Sequence, residues 1–170
     1  MGRTAESVMI SASPAEVCAV YFEPRTWPSW VDGFGRVESS EGYPDEGGTL
    51  SWRSTPAGRG LVTERVLEHE PRRLHRIAFS DDASEGELTT RFQIAPVADG
   101  EPPATRVTQE VDYRLRRRGP FWPLTDFLFV RSQVQRSLAR SLERLRREVT
   151  ELAEAPEGAP PDRAPPDRAL

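Results

Sequence analysis

Glu64, His75, Thr90, Gln109 and Tyr113 are the side chains whose types and spacing could do chemistry inside this protein. Each lies in a run that alternates apolar and polar residues, and each takes the apolar parity of its run. The sets are Val62, Glu64, Val66; His75, Ile77, Phe79; Leu88, Thr90, Phe92, Ile94; and Val107, Gln109, Val111, Tyr113, Leu115. In extended chain, residues two apart share a face, so these polar groups are directed to the side that also carries the apolar residues. A carboxylate or imidazole in a dry setting has a shifted pKa and can move protons. Glu64 and His75 are therefore the candidate acid/base residues. Either the five polar groups satisfy one another in a packed core, or they line a cavity. A dry core does not favour so many polar groups unless each finds a partner.

Other constellations exclude whole classes of chemistry. His69-Glu70-Pro71-Arg72-Arg73 begins like the zinc helix HExxH, but it lacks the second histidine and Pro71 breaks a helix. With two histidines and one cysteine a conventional zinc site is not expected. Gly33-Phe34-Gly35 and Gly58-Arg59-Gly60 do not complete a dinucleotide fingerprint, and no Gly-x-Ser-x-Gly is present. All 23 basic residues are Arg, so Schiff-base and P-loop lysines are absent. No metal and no cofactor is expected. Cys18, in Val17-Cys18-Ala19-Val20, reads as a small buried hydrophobe.

The elements that must position these groups follow from turn residues and periodicity. A strand is expected at 5–12. Ser13-Pro14-Ala15-Glu16 is a helix start, with Ser13 as N-cap, Pro14 first in the helix and Glu16 third; that helix runs to about Phe22. A second short helix spans Thr26 to Val31. Strands follow at 35–41, 48–54, 60–69, 73–80, 85–95 and 105–115, separated by Pro-, Gly- and Asp-rich turns. Short connections between consecutive strands imply an antiparallel meander. From about Pro123 to Ala153, Val134, Leu138, Leu142, Leu145, Val149 and Leu152 recur at spacings of four and three, one apolar stripe on a long helix. The expected fold is thus α+β: a curved seven-stranded antiparallel sheet wrapped on a long C-terminal helix, with two short helices after the first strand. The domain occupies 1–153. Residues 154–170, with APPDR repeated, read as a disordered Pro-rich tail.

In order and spacing, the chain resembles the SRPBCC or START-like superfamily, in its polyketide cyclase/dehydrase and lipid-transport branch. Ile10-Ser11-Ala12-Ser13-Pro14-Ala15-Glu16-Val17, Trp27-Pro28-Ser29-Trp30, Glu64-Arg65-Val66, Glu70-Pro71-Arg72-Arg73-Leu74, Gly86-Glu87-Leu88 and Thr105-Arg106-Val107-Thr108 carry the resemblance. It covers about 5–152. It implies a helix-grip fold with a hydrophobic pocket open at one end, and it transfers no universal catalytic residue.

The expected function is binding of a small hydrophobic or amphipathic ligand, of lipid, polyketide or aromatic type, without catalysis. The residues expected around it are Trp30, Trp52, Glu64, His75, Phe92, Gln109, Tyr113, Phe127 and Arg131. Trp30, beside Trp27, is either core or pocket wall. Phe127 stands with Phe121, Trp122 and Phe129 where the last helix begins, at the entrance that the resemblance implies. Arg116-Arg117-Arg118 is a solvated strand end or an anion-attracting rim. One alternative is a cofactor-independent cyclase/dehydrase-type enzyme acting on a polyketide-type carbonyl substrate through His75 or Glu64. Another is a protein-interaction or regulatory module, and a homodimer stays open. A net charge of −4 gives no global basic field for nucleic acid. No run approaches the ~20 apolar residues of a membrane span. The start of the chain lacks an apolar signal core, so a cytoplasmic location is expected.

Overall fold

The computed structural model describes residues 1–56, 58–116 and 124–154, and in the last of these the side chains from 131 onward. Strand β1 (Gly2–Ile10) is followed by α1 (Pro14–Tyr21) and α2 (Trp27–Trp30). Six strands come next: β2 (Phe34–Glu41), β3 (Thr49–Ser54), β4 (Leu61–Glu70), β5 (Leu74–Ser80), β6 (Ser84–Ala95) and β7 (Ala104–Leu115). Helix α3 (Leu124–Glu154) closes the described chain. The start of α1 has the expected chemistry. The Ser13 hydroxyl accepts from the Glu16 amide, and the Glu16 carboxylate accepts from the Ser13 amide at 2.7 Å. The strand before it begins at Gly2, earlier than the alternation from residue 5 indicates.

All seven strands form one antiparallel sheet in the order β1-β7-β6-β5-β4-β3-β2. Helix α3 packs along β1, α1 and α2. Of the expected stripe, Leu142, Leu145 and Val149 are buried in a core with Ile10, Val17, Tyr21, Trp27, Trp30, Trp52, Phe92 and Val107. Val134 and Leu138 are half-buried against a smaller, separate cluster of Phe79, Leu88, Val111, Tyr113 and Leu115. Leu152 is exposed, so the stripe stops working at Val149. Ile94 also departs from its expected face. It is 77% exposed, although its strand partner Thr105 is fully buried. Thr105 lies under Ala12, to whose carbonyl it donates.

The outer face carries Arg–carboxylate pairs: Arg3 and Arg91 with Glu110, Arg76 with Glu68 and Glu87, and Arg114 with Glu85. Such exposed pairs add little stability each. They do mark the solvent side. No described helix is long and apolar enough to cross a membrane.

Candidate functional site

The register sorts the inner face into rungs that cross the sheet. One rung is apolar: Val8, Val107 and Phe92 lie opposite one another. The next is polar across five strands: Glu6, Gln109, Thr90, His75 and His69. The third is Thr4, Val111, Leu88, Ile77 and Val66, and the fourth is Gly2, Tyr113, Gly86, Phe79, Glu64 and Leu50. The strand parity read from the sequence therefore brings Glu64, His75, Thr90, Gln109 and Tyr113 to one face. The two candidate acid/base residues do not meet there. His75 and Phe79, the strand partner of Glu64, are four residues apart, or about 13 Å at the usual strand rise.

The polar rung is covered by the end of α1. Tyr21 drops its hydroxyl onto the rung, 2.8 Å from the Thr90 hydroxyl, and accepts a 3.1 Å hydrogen bond from Gln109 Nε2. Burial pushes the Tyr21 phenol up to about 12. Phe22 packs edge-on against both histidines, with ring centroids 5.0 Å from His69 and 4.8 Å from His75. His75 itself is buried. Loss of hydration lowers its pKa to about 3, with a smaller effect from His69, so the ring is neutral across the physiological range. Its Nε2 and the Tyr113 hydroxyl are buried polar atoms with no hydrogen-bond partner.

The fourth rung offers a different environment. Glu64 accepts a 2.8 Å hydrogen bond from Trp52 Nε1. Loss of hydration raises its carboxyl pKa, against the opposing effects of Trp52 and Arg59. Arg59, on the loop between β3 and β4, stands over the Phe79 ring at 5.0 Å and the Trp52 ring at 5.9 Å. It is fixed there by the almost fully buried Asp81 carboxylate, 2.6 Å away. Although deep, Glu64 keeps accessible surface, and so does Leu88 in the third rung on the interior strand β6. Their strand partners Leu50, Phe79, Ile77 and Val111 are buried. On the helix side, Val134 and Leu138 pack against the same cluster of Phe79, Val111 and Tyr113. Two shallow surface hollows of about 450 and 380 Å³ lie elsewhere and include none of these residues.

The remaining expected residues distribute as follows. Trp52 borders the Glu64 end. Phe92 is buried against Tyr21 at 5.2 Å. Trp30 is core, stacked at 5.2 Å on Tyr21 and 6.2 Å from Trp27. Arg131 is exposed on α3, yet close enough to act electrostatically on the Tyr113 phenol, which burial raises. Arg116 bonds Ser80 and pairs with Glu85. Phe127, with Phe121, Trp122 and Phe129, falls outside the described side chains. Arg117 and Arg118 fall outside the described residues, as does the expected tail from 155 on. Among the described residues no group of three metal-ligating side chains converges. The sequence reading missed Tyr21, Phe22, His69 and Arg59. Only His69 had a signal: it and His75 are equidistant from Arg72, the centre of the β4–β5 turn, which takes φ 63°.

Residues 1–150 match the sequence model of the family described as polyketide cyclase / dehydrase and lipid transport. No curated protein matches the sequence. Among solved structures, the Zhui aromatase/cyclase from a Streptomyces species superimposes with a TM-score of 0.73 at 16% identity, over 93% of this chain and 99% of that one. A START superfamily protein from Mycobacterium smegmatis gives 0.66 at 14% identity, over 88% and 98%. Truncated norcoclaurine synthase from Thalictrum flavum gives 0.61 at 13%, over 88% and 94%. At such identities these likenesses speak for the helix-grip fold alone.

Proposed function

The chain belongs to the polyketide cyclase / dehydrase and lipid transport family, and from that premise we propose that it binds a small hydrophobic or amphipathic molecule between the sheet and α3. The observation that carries this reading is that Glu64 and Leu88 keep accessible surface on the inner face while their strand partners Leu50, Phe79, Ile77 and Val111 are buried. Phe79, Leu88, Val134 and Leu138 supply apolar contact there. Covering about 300 Å² of apolar ligand would contribute roughly 7 kcal/mol before the costs of association. Glu64, with Trp52 and Arg59 beside it, supplies the polar contacts that orient the ligand.

The test is uptake of a fluorescent fatty acid and of a flat aromatic dye by the purified protein. Leu88→Trp fills the proposed site from a half-open position, so it should cut uptake at least tenfold while the melting temperature stays within a few degrees. Failure of the native protein to take up anything across a broad apolar panel ends the reading.

A catalytic variant of this reading is favoured by one observation: a deep carboxyl with raised pKa on accessible surface. Glu64 is then the proton donor and acceptor toward a carbonyl substrate, in a cyclase/dehydrase-type reaction. His75, neutral and a weak base, is less suited to the task. Glu64→Gln, which keeps a polar group beside Trp52, would abolish turnover while weakening dye uptake by no more than a few-fold. Turnover that survives this substitution excludes Glu64 as the catalytic group.

A further inference from the structure

His69 and His75 face each other through the same kind of nitrogen, with Nδ1 of one ring 3.1 Å from Nδ1 of the other. At that distance one ring donates and the other accepts, so a single proton lies between them. The far nitrogen of His75, Nε2, is buried and unpartnered. A neutral imidazole carries one N–H. The direction of the Nδ1–Nδ1 hydrogen bond therefore dictates what His75 presents at Nε2. If His75 donates, Nε2 is a bare acceptor. If His69 donates, His75 must carry its hydrogen on Nε2.

We propose that His69 sets the hydrogen-bonding polarity of His75: a neutral His69 leaves Nε2 of His75 an acceptor, and a protonated His69 converts it to a donor. With both rings neutral, donation from His75 is favoured for two reasons. It leaves a buried lone pair unpaired rather than a buried N–H, which is the rarer and costlier orphan. It also places the N–H of His69 on Nε2 of a half-buried ring. Protonated His69 carries hydrogen on both nitrogens, must donate, and thereby forces the other tautomer of His75. The charge stays on His69 because burial opposes it on His75.

The surrounding groups leave this role to His69. Phe22 covers both rings from the end of α1, and Tyr43 stands 5.6 Å from His75 with a phenol that burial holds well above its ordinary range. Thr90 lies across the rung. Glu68 is paired with Arg76, Glu70 with Arg73, and Cys18 faces Arg72. One proton on the outer ring thus reverses the polarity of a buried nitrogen on the inner one.

The experiment is a long-range 1H–15N titration of the two imidazoles in the full chain, without ligand. As His69 takes up its proton, the Nε2 resonance of His75 should move from the unprotonated to the protonated type, in step with the His69 signals, while His75 stays neutral. In His69→Gln that movement should vanish. A His75 Nε2 signal that is already of the protonated type at high pH, or that ignores the titration of His69, overturns the proposal. So does a tautomer change that persists in His69→Gln. Should that variant not fold, the step-for-step movement of the two native rings still decides the question.

Discussion

Trp52 Nε1 donates a 2.8 Å hydrogen bond to Glu64 Oε1 from the neighbouring strand, two residues from the register partner of Glu64, Leu50. This bond and Arg59 pull the Glu64 pKa down, but loss of hydration outweighs both and the net shift is upward. A carboxyl with a raised folded-state pKa binds its proton more tightly folded than unfolded. Stability is therefore lost as pH rises from the unfolded pKa through the folded one. Glu64→Gln keeps the bond from Trp52 and removes the charge. It should be more stable than the native chain at pH 7.5, and the gain should shrink as pH falls toward 4. Urea melts at the two pH values check this.

His75 gives a second pH dependence, with the stability loss on the acid side. Its folded pKa of about 3 lies below the ordinary value of 6.5. The unfolded chain takes up the proton first, so stability is present above about pH 6.5 and is lost as pH falls toward 3. The slope from this one ring approaches about 1.4 kcal/mol per pH unit in that window. His75→Phe, packed against Phe22 and Tyr43, should flatten the same stretch of the stability curve.

The Tyr21 hydroxyl serves both Thr90 and Gln109. Tyr21→Phe leaves the ring among Trp30, Phe22 and Phe92 but strands two buried polar groups. The expected cost is about 1–3 kcal/mol, read by thermal or chemical denaturation. A double variant that also carries Thr90→Val should recover part of it, because one stranded group is gone.

Gly86 sits between Tyr113 of β7 and Phe79 of β5. A Cβ there would land on the Asp112 carbonyl. Gly86→Ala must shift β6 against β7, at a cost of roughly 1–3 kcal/mol. Two-dimensional amide spectra should show the disturbance centred on residues 84–88 and 111–115.

Local rules made most of the scaffold readable. Ser13, Pro14 and Glu16 start α1 as capping chemistry requires, and the turn residues fix the strand boundaries closely. Parity placed Glu64, His75, Thr90, Gln109 and Tyr113 on one face because side chains on a strand must alternate. Parity could not say how far apart they would lie along the sheet, and the register sets the alternative candidates Glu64 and His75 on different rungs. Tyr21 and Phe22 escaped notice because α1 is too short to display a periodic face. Arg59 escaped because a loop side chain is placed by its partners, here Asp81, Phe79 and Trp52, rather than by local pattern. Ile94 obeyed its strand's alternation in sequence, yet nothing covers it.

Asp32, just after α2, accepts from Ser137 at 2.9 Å and from Arg140 at 2.7 and 3.1 Å, with Arg144 within 3.4 Å. Its amide bonds Ser141, and the same stretch of α3 carries Leu142, Leu145 and Val149 into the larger core. The turns around Val134 and Leu138 pack on the smaller cluster, and Gln135 donates to Glu6. The helix is therefore a lever whose fulcrum lies in its second half. Amide exchange should be slowest from about 140 to 149 and faster toward 132. Asp32→Ala should erase that gradient, because the clamp and not the helix itself decides which end yields first.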